Sequence, residues 1–178
     1  GVDTVPGRRR ALDNALRDFV LAGVALEPAG RARFAELSQR LATLSARFSD
    51  NLLDATDAWS LTVGEERLAG LPGSARAAAR RNAEAAGESG YRLALAGPTY
   101  LAVMAHAGDR ALREAIYTAW QTRASDQGPQ AGSWDNSEVM HQILDCRREL
   151  AALLGFDNYA ELSLATKMAP DTASVVTF

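Results

Sequence analysis

Apolar residues along this chain recur at two periods. Leu12, Leu16 and Phe19 are spaced four and three apart, which puts them on one face of a helix predicted over residues 8–21. Gly23 ends that helix. Pro28 suits the first turn of the next, where its missing N–H leaves no bond unmade. The second helix carries the longest stripe, Phe34, Leu37, Leu41, Leu44, Phe48 and Leu52, with Arg31, Glu36, Arg40 and Asp50 lying off it. Its alternating threes and fours approach a coiled-coil seam. The short linker predicts an antiparallel helical hairpin, residues 8–21 against 31–55, with the stripe facing Leu12, Leu16 and Phe19.

The period then changes to two. Trp59-Ser60-Leu61-Thr62-Val63 alternates apolar and polar, and Tyr91-Arg92-Leu93-Ala94-Leu95 does the same between Gly90 and Gly97-Pro98. The two are expected to pair as a minor two-stranded ribbon. Leu71-Pro72-Gly73 between them is a turn, followed by an Ala-rich helix over residues 74–86 that Gly87 closes. A short helix is predicted over residues 99–107. Asp109 caps the next, whose inner face is Leu112, Ile116 and Trp120. Gly128-Pro129 and Gly132 make residues 125–133 a loop. Asp135 and Glu138 read as a capping box opening a helix through Val139, Ile143, Leu150 and Leu154, which Gly155 ends. Asp157 is expected to cap a further helix reaching Met168, and Pro170 to open another. The fold class is mainly α.

Composition narrows the function classes. With 178 residues, 47% hydrophobic and 23% charged, this is ordinary globular material. A net charge of −3 gives no broad electrostatic case for a nucleic acid or an anionic membrane. No apolar run approaches the roughly 20 residues that cross a bilayer. No charged region followed by an apolar one marks a signal peptide, and the single thiol, Cys146, fits a reducing compartment. The expected location is the cytoplasm. The chain opens on Gly1, its first methionine is Met104, and a helix begins just before Phe178. Residues 1–178 are therefore expected to be a helical segment of a larger protein, cut at both ends.

Candidate chemistry is sparse. A zinc peptidase needs two histidines four apart on one helix face with a glutamate beside the first. His106 is followed by Ala107-Gly108-Asp109-Arg110 and His141 by Gln142-Ile143-Leu144-Asp145, and neither fits. His141 and Asp145 lie one turn apart and read as a surface pair rather than a two-ligand metal site. Cys146 sits five residues from His141, about 140° around a helix, so it has no base beside it. It reads as a buried thiol. Arg8-Arg9-Arg10, Arg80-Arg81 and Arg147-Arg148 are short basic clusters with acids nearby, read as solvated helix faces. No glycine pattern makes a phosphate loop. Trp59, Trp120, Trp134, Tyr91 and Tyr117 are attributed to core packing ahead of a peptide groove.

Seven stretches, taken in order, carry a resemblance. They are Leu16-Arg17-Asp18-Phe19, Phe48-Ser49-Asp50-Asn51-Leu52-Leu53-Asp54-Ala55-Thr56, Leu68-Ala69-Gly70-Leu71-Pro72 and Arg123-Ala124-Ser125-Asp126-Gln127-Gly128-Pro129. Trp134-Asp135-Asn136, Leu153-Leu154-Gly155-Phe156-Asp157-Asn158-Tyr159-Ala160 and Ser163-Leu164-Ala165-Thr166-Lys167-Met168-Ala169 complete the set. Together they make nearly the whole chain resemble part of a zinc-dependent oligopeptidase of the thimet oligopeptidase/oligopeptidase A family. The resemblance implies a helical lobe beside a deep, narrow channel that admits only short, unstructured peptides. It implies zinc in the full-length parent, held by an HExxH helix and a downstream glutamate that would lie beyond Phe178. It therefore implies no catalytic, cofactor or metal residue in this chain, which would be a non-catalytic part of the channel wall and inactive alone.

The implied partners are the missing C-terminal catalytic part and, for the parent, short peptides. Nucleic acid and membrane are not expected. Self-association is expected from the apolar Val175, Val176 and Phe178 and from helix faces around Ile143 and Leu150 left without their cover. The alternative is a free-standing helical module presenting the stripe of residues 34–52 to a partner helix. A weaker reading is a nucleic-acid binder using the arginine clusters.

Overall fold

The computed structural model describes residues 6–178. The chain divides into two compact units, Gly1–Ser45 with His141–Phe178 and Ala46–Met140. Helices α2 (Pro28–Asp57) and α6 (Ser137–Leu153) each contribute to both.

In the first unit, α1 spans Pro6–Leu21 and α2 begins at Pro28, as the periodicity predicts. Leu37 and Leu44, seven residues apart on α2, are buried, with Phe34 and Leu41 half-buried between and before them. The stripe is thus a real inner face. Its neighbour is not the expected one. Leu12, Leu16 and Phe19 on α1 are 59%, 63% and 60% exposed, so they do not cover it.

Helix α6 lies along α2 instead. A Cβ on Gly30 would stand 3.7 Å from the Leu153 side chain. Arg33 makes a two-pronged bond to Glu149, Nε to Oε1 at 2.5 Å and Nη2 to Oε2 at 2.6 Å. Arg40 Nη2 reaches Gln142 Oε1 at 3.5 Å. Numbers rise along α2 as they fall along α6, so the pair is antiparallel. A short linker favours adjacent helices but does not oblige them to pack. Cys146 and Ala151 on α6 are buried. The linker itself does pack: Gly23, at φ +75°, would place a Cβ 3.1 Å from the Phe34 ring.

The last two helices are short. Asn158, not Asp157, caps α7 (Tyr159–Leu164), its Oδ1 accepting the Glu161 N–H at 3.0 Å. That helix stops short of the expected Met168. Pro170 disfavours helical geometry at the residue before it, and Met168 is fully exposed, so nothing anchors a continuation. Asp171 caps α8 (Thr172–Thr177) through the Ser174 N–H at 2.7 Å.

The second unit closes on its own core. Strands β1 (Ser60–Val63) and β2 (Tyr91–Ala94) pair antiparallel, Ser60 opposite Ala94 and Val63 opposite Tyr91. Helix α3 (Gly73–Ala85) links them, and Gly87 follows it. Helices α4 (Gly97–His106) and α5 (Arg110–Gln121) come next. Val63, Leu68, Leu93, Leu95, Val103, Leu112 and Ile116 form the buried centre, with Trp59, Tyr91, Tyr100 and Trp120 at its margin. Tyr100 stacks on Trp120 at 4.7 Å between centroids. Tyr117, expected in the core, is 49% exposed, because Leu112, Ile116 and Ala119 take the inner face of α5. Asp109 accepts the Leu112 N–H at 3.1 Å and pairs with Arg67 at 2.6 Å. The stretch at residues 68–72 turns at Gly70, φ +88°, where a Cβ would collide with the His106 carbonyl oxygen. Only glycine allows that close approach.

Candidate functional site

The chemistry weighed in the sequence is dispersed in the structure. His106 and His141 are exposed, on different helices, and Cys146 is buried. Among the described residues no three of His, Cys, Asp and Glu are grouped to hold a metal ion. The arginine clusters resolve into local contacts. Arg80 pairs with Glu84 at 3.1 Å and lies over Tyr91, Arg147 lies 4.9 Å over Tyr159, and Arg148 pairs with Asp145 at 3.0 Å. Arg8, Arg9 and Arg10 are exposed.

Three of the seven stretches that carry the resemblance, residues 48–56, 123–129 and 134–136, converge in the second unit. Asn136 is the one buried polar residue among those described. Its Nδ2 donates to the Phe48 carbonyl at 3.0 Å and its Oδ1 accepts from Asn51 Nδ2 at 2.8 Å. Its backbone N–H donates to the Ala124 carbonyl at 2.9 Å. Next to it, Arg123 lies 3.7 Å over the Trp120 ring, donates to the Trp120 carbonyl at 2.9 Å and reaches Thr56 Oγ1 at 3.3 Å. Burial pushes the Arg123 guanidinium below the ordinary arginine value. Ala124 takes φ +50°, an unusual backbone for a residue with a Cβ.

This knot ties residues 48–56 of α2 to both ends of the loop at residues 125–133. Within the loop, Gly132 N–H returns to the Ser125 carbonyl at 3.0 Å and Gln127 N–H to Ser125 Oγ at 3.1 Å. Asp135 accepts both the N–H and the hydroxyl of Ser137, at 2.8 and 2.7 Å, one residue earlier than the capping box predicts. Those bonds, the backbone one first, hold its carboxyl below the ordinary value. The knot contains no nucleophile and no acid–base pair. It positions a loop.

The outer face of α5 borders two depressions. One, of about 560 Å³, is formed by Trp59 and Leu61, α5 residues including Glu114 and Thr118, and Pro129 of the tied loop. The other, of about 350 Å³, is lined by Met104, Arg110, Arg113, Glu114 and Tyr117. Sequence reasoning passed over Arg110 and Arg113 because they do not stand in a run. It also passed over the Asn136 pairing, which spans 85 residues. The Trp134-Asp135-Asn136 stretch was the signal available for the latter.

A model of peptidase family M3 matches residues 103–178. Over 172 residues the chain is 52% identical to oligopeptidase A of Salmonella typhimurium and equally to that of Escherichia coli. In both cases the match covers 96% of this chain and 25% of the relative. The dipeptidyl carboxypeptidase of Escherichia coli is 32% identical over 164 residues, covering 90% of this chain and 23% of its own length. The chain thus spans about a quarter of the length of the curated relatives it matches. The quoted stretches, the helical fold they build and identity over nearly the whole chain agree, and the chain belongs to peptidase family M3.

Proposed function

We propose that this chain is the non-catalytic helical portion of a zinc oligopeptidase that hydrolyses short peptides, and that it forms part of the substrate-channel wall. The observation that carries the reading is the 52% identity to oligopeptidase A over 96% of the chain. The knot around Asn136 supports it, because a wall that selects by size must hold its loops in place. In the parent, the metal would activate water for attack on a peptide carbonyl. The residues described here would exclude large substrates and hold small ones. The natural partners are then the remainder of the parent polypeptide and short peptides. The lone buried thiol at Cys146 suits a cytoplasmic setting, and no described helix is long and apolar enough to cross a membrane.

Without its partner the chain should self-associate. Leu12, Leu16 and Phe19 make an uncovered helix face, and Val176 and Phe178 are 87% and fully exposed. The same exposure suits a free-standing interaction module, but Leu37 and Leu44 of the stripe that module would present are buried rather than available.

The test is a hybrid in which this chain replaces the matching quarter of Escherichia coli oligopeptidase A. Chelator-sensitive hydrolysis of a quenched short peptide by the hybrid, and none by the chain alone, is the expected result. A folded, zinc-loaded hybrid without activity, or hydrolysis by the chain alone, overturns the reading.

A further inference from the structure

We propose that the outer face of α5 is a peptide subsite, taking a carboxylate on Arg110 and an apolar side chain in the depression between Trp59 and Pro129. The proposal rests on the channel-wall reading and names what that part of the wall would hold.

Three observations converge on it. First, Arg110 has no carboxylate partner among the described residues, and Arg113 turns its guanidinium to the Ala107 carbonyl. Two cations therefore face one depression, with Glu114 as its single acid. The contrast is Arg92, which lines a depression of about 320 Å³ but is paired with Glu88 at 3.4 Å. Second, both cations lie in the first turn of α5, whose N-terminal end repels positive charge. Asp109, the acid that would offset them, is engaged by Arg67 and the Leu112 N–H. An incoming carboxylate relieves that repulsion, and a guanidinium binds it with two parallel N–H donors.

Third, the other depression is mostly apolar and is bordered by the same helix, with Glu114 lining both. Pro129 belongs to the loop that the Asn136 knot fixes, so this depression is preformed. Arg110 and Glu114 are one turn apart, a rise of about 6 Å. An extended peptide covers that distance in about two residues. The ligand is thus a short peptide with an apolar side chain one or two residues before a carboxylate. Tyr117, half-exposed, lines the same depression as Arg110.

The carboxylate can be the peptide's C-terminus or an acidic side chain. Fluorescence anisotropy separates them with three labelled peptides: a free acid, its C-terminal amide, and the amide with an internal glutamate. The chain should bind the free acid about three- to fivefold more tightly than the amide, the yield of a solvent-exposed ion pair. Recovery of affinity by the internal glutamate would assign the site to acidic side chains, and no recovery to the C-terminus. Arg110→Gln should abolish the acid–amide difference, and Thr118→Arg, which fills the apolar depression from an exposed position, should weaken all three peptides. Equal binding of acid and amide, or an unaltered preference in Arg110→Gln, overturns the proposal. The hybrid enzyme keeps the two readings apart. An active hybrid whose KM for acid and amide peptides is unmoved by Arg110→Gln sinks the subsite alone, whereas an inactive hybrid sinks the channel-wall reading while the binding result still stands.

Discussion

The unit Ala46–Met140 and helix α1 are built from similar apolar residues and end in opposite states. In the former, Leu93, Leu95, Leu112 and Ile116 are at most 1% exposed, and the one buried polar side chain, Asn136, has its donor and acceptor matched. On α1, Leu12, Leu16 and Phe19 stand about three-fifths exposed at helical spacing. The difference teaches that amphipathic spacing specifies a face but not its cover. The helix–ribbon unit supplies its own cover from within about 60 residues of chain, between Trp59 and Trp120. Helix α1 has an apolar face and no described partner on it.

Substitutions in the closed core should have the largest effects. Ile116→Ala should cost about 3–5 kcal/mol by urea denaturation, through lost burial plus the cavity left behind. A cost below about 1 kcal/mol would mean that the core is not closed. Asn136→Leu should follow at about 1–3 kcal/mol, because the Phe48 carbonyl and the Asn51 amide lose their partners inside the protein.

Acid should act next. Arg67 holds Asp109, and Ser137 holds Asp135, below the ordinary value of 3.8. A carboxylate with a depressed folded value contributes stability that is complete above its unfolded value and is lost as pH falls through the folded one. The melting temperature should therefore be flat above about pH 5 and decline below pH 4. A rise on acidification would contradict these contacts. Smallest of all, Leu16→Ser on α1 should change stability by under about 0.5 kcal/mol. It should also shift light scattering toward the monomer. A loss comparable to that of Ile116→Ala would show α1 to be packed after all.

Much of the fold was legible, and the illegible parts have physical causes. The stripe on α2, the two ribbon segments, the Asp109 cap and the α5 inner face follow from spacing and from bonds between near neighbours, whereas the ribbon's register and direction come from the structure alone. The helix that lies along α2 did not follow from spacing either, because α6 is more than 100 residues away and linker length pointed to α1. Asn158 displaced Asp157 as a cap because either residue type can open a helix, and composition cannot choose between adjacent positions. The Asn136 knot was invisible as geometry, although its stretches carried the family resemblance. Arg110 and Arg113 gave no signal, since a lone arginine at a helix start looks like any solvated residue until its neighbours are placed.

The central claim is that this chain walls a channel serving a catalytic part elsewhere in the parent. The most direct measurement is the substrate-size profile of the hybrid oligopeptidase. A short quenched peptide and a long unstructured polypeptide containing the same cleavage sequence are compared at equal concentration. The account predicts chelator-sensitive cleavage of the short peptide and little of the long one, with the long one gaining when Asn136→Ala loosens the tied loop. A hybrid that cleaves both equally, before and after that substitution, would contradict it.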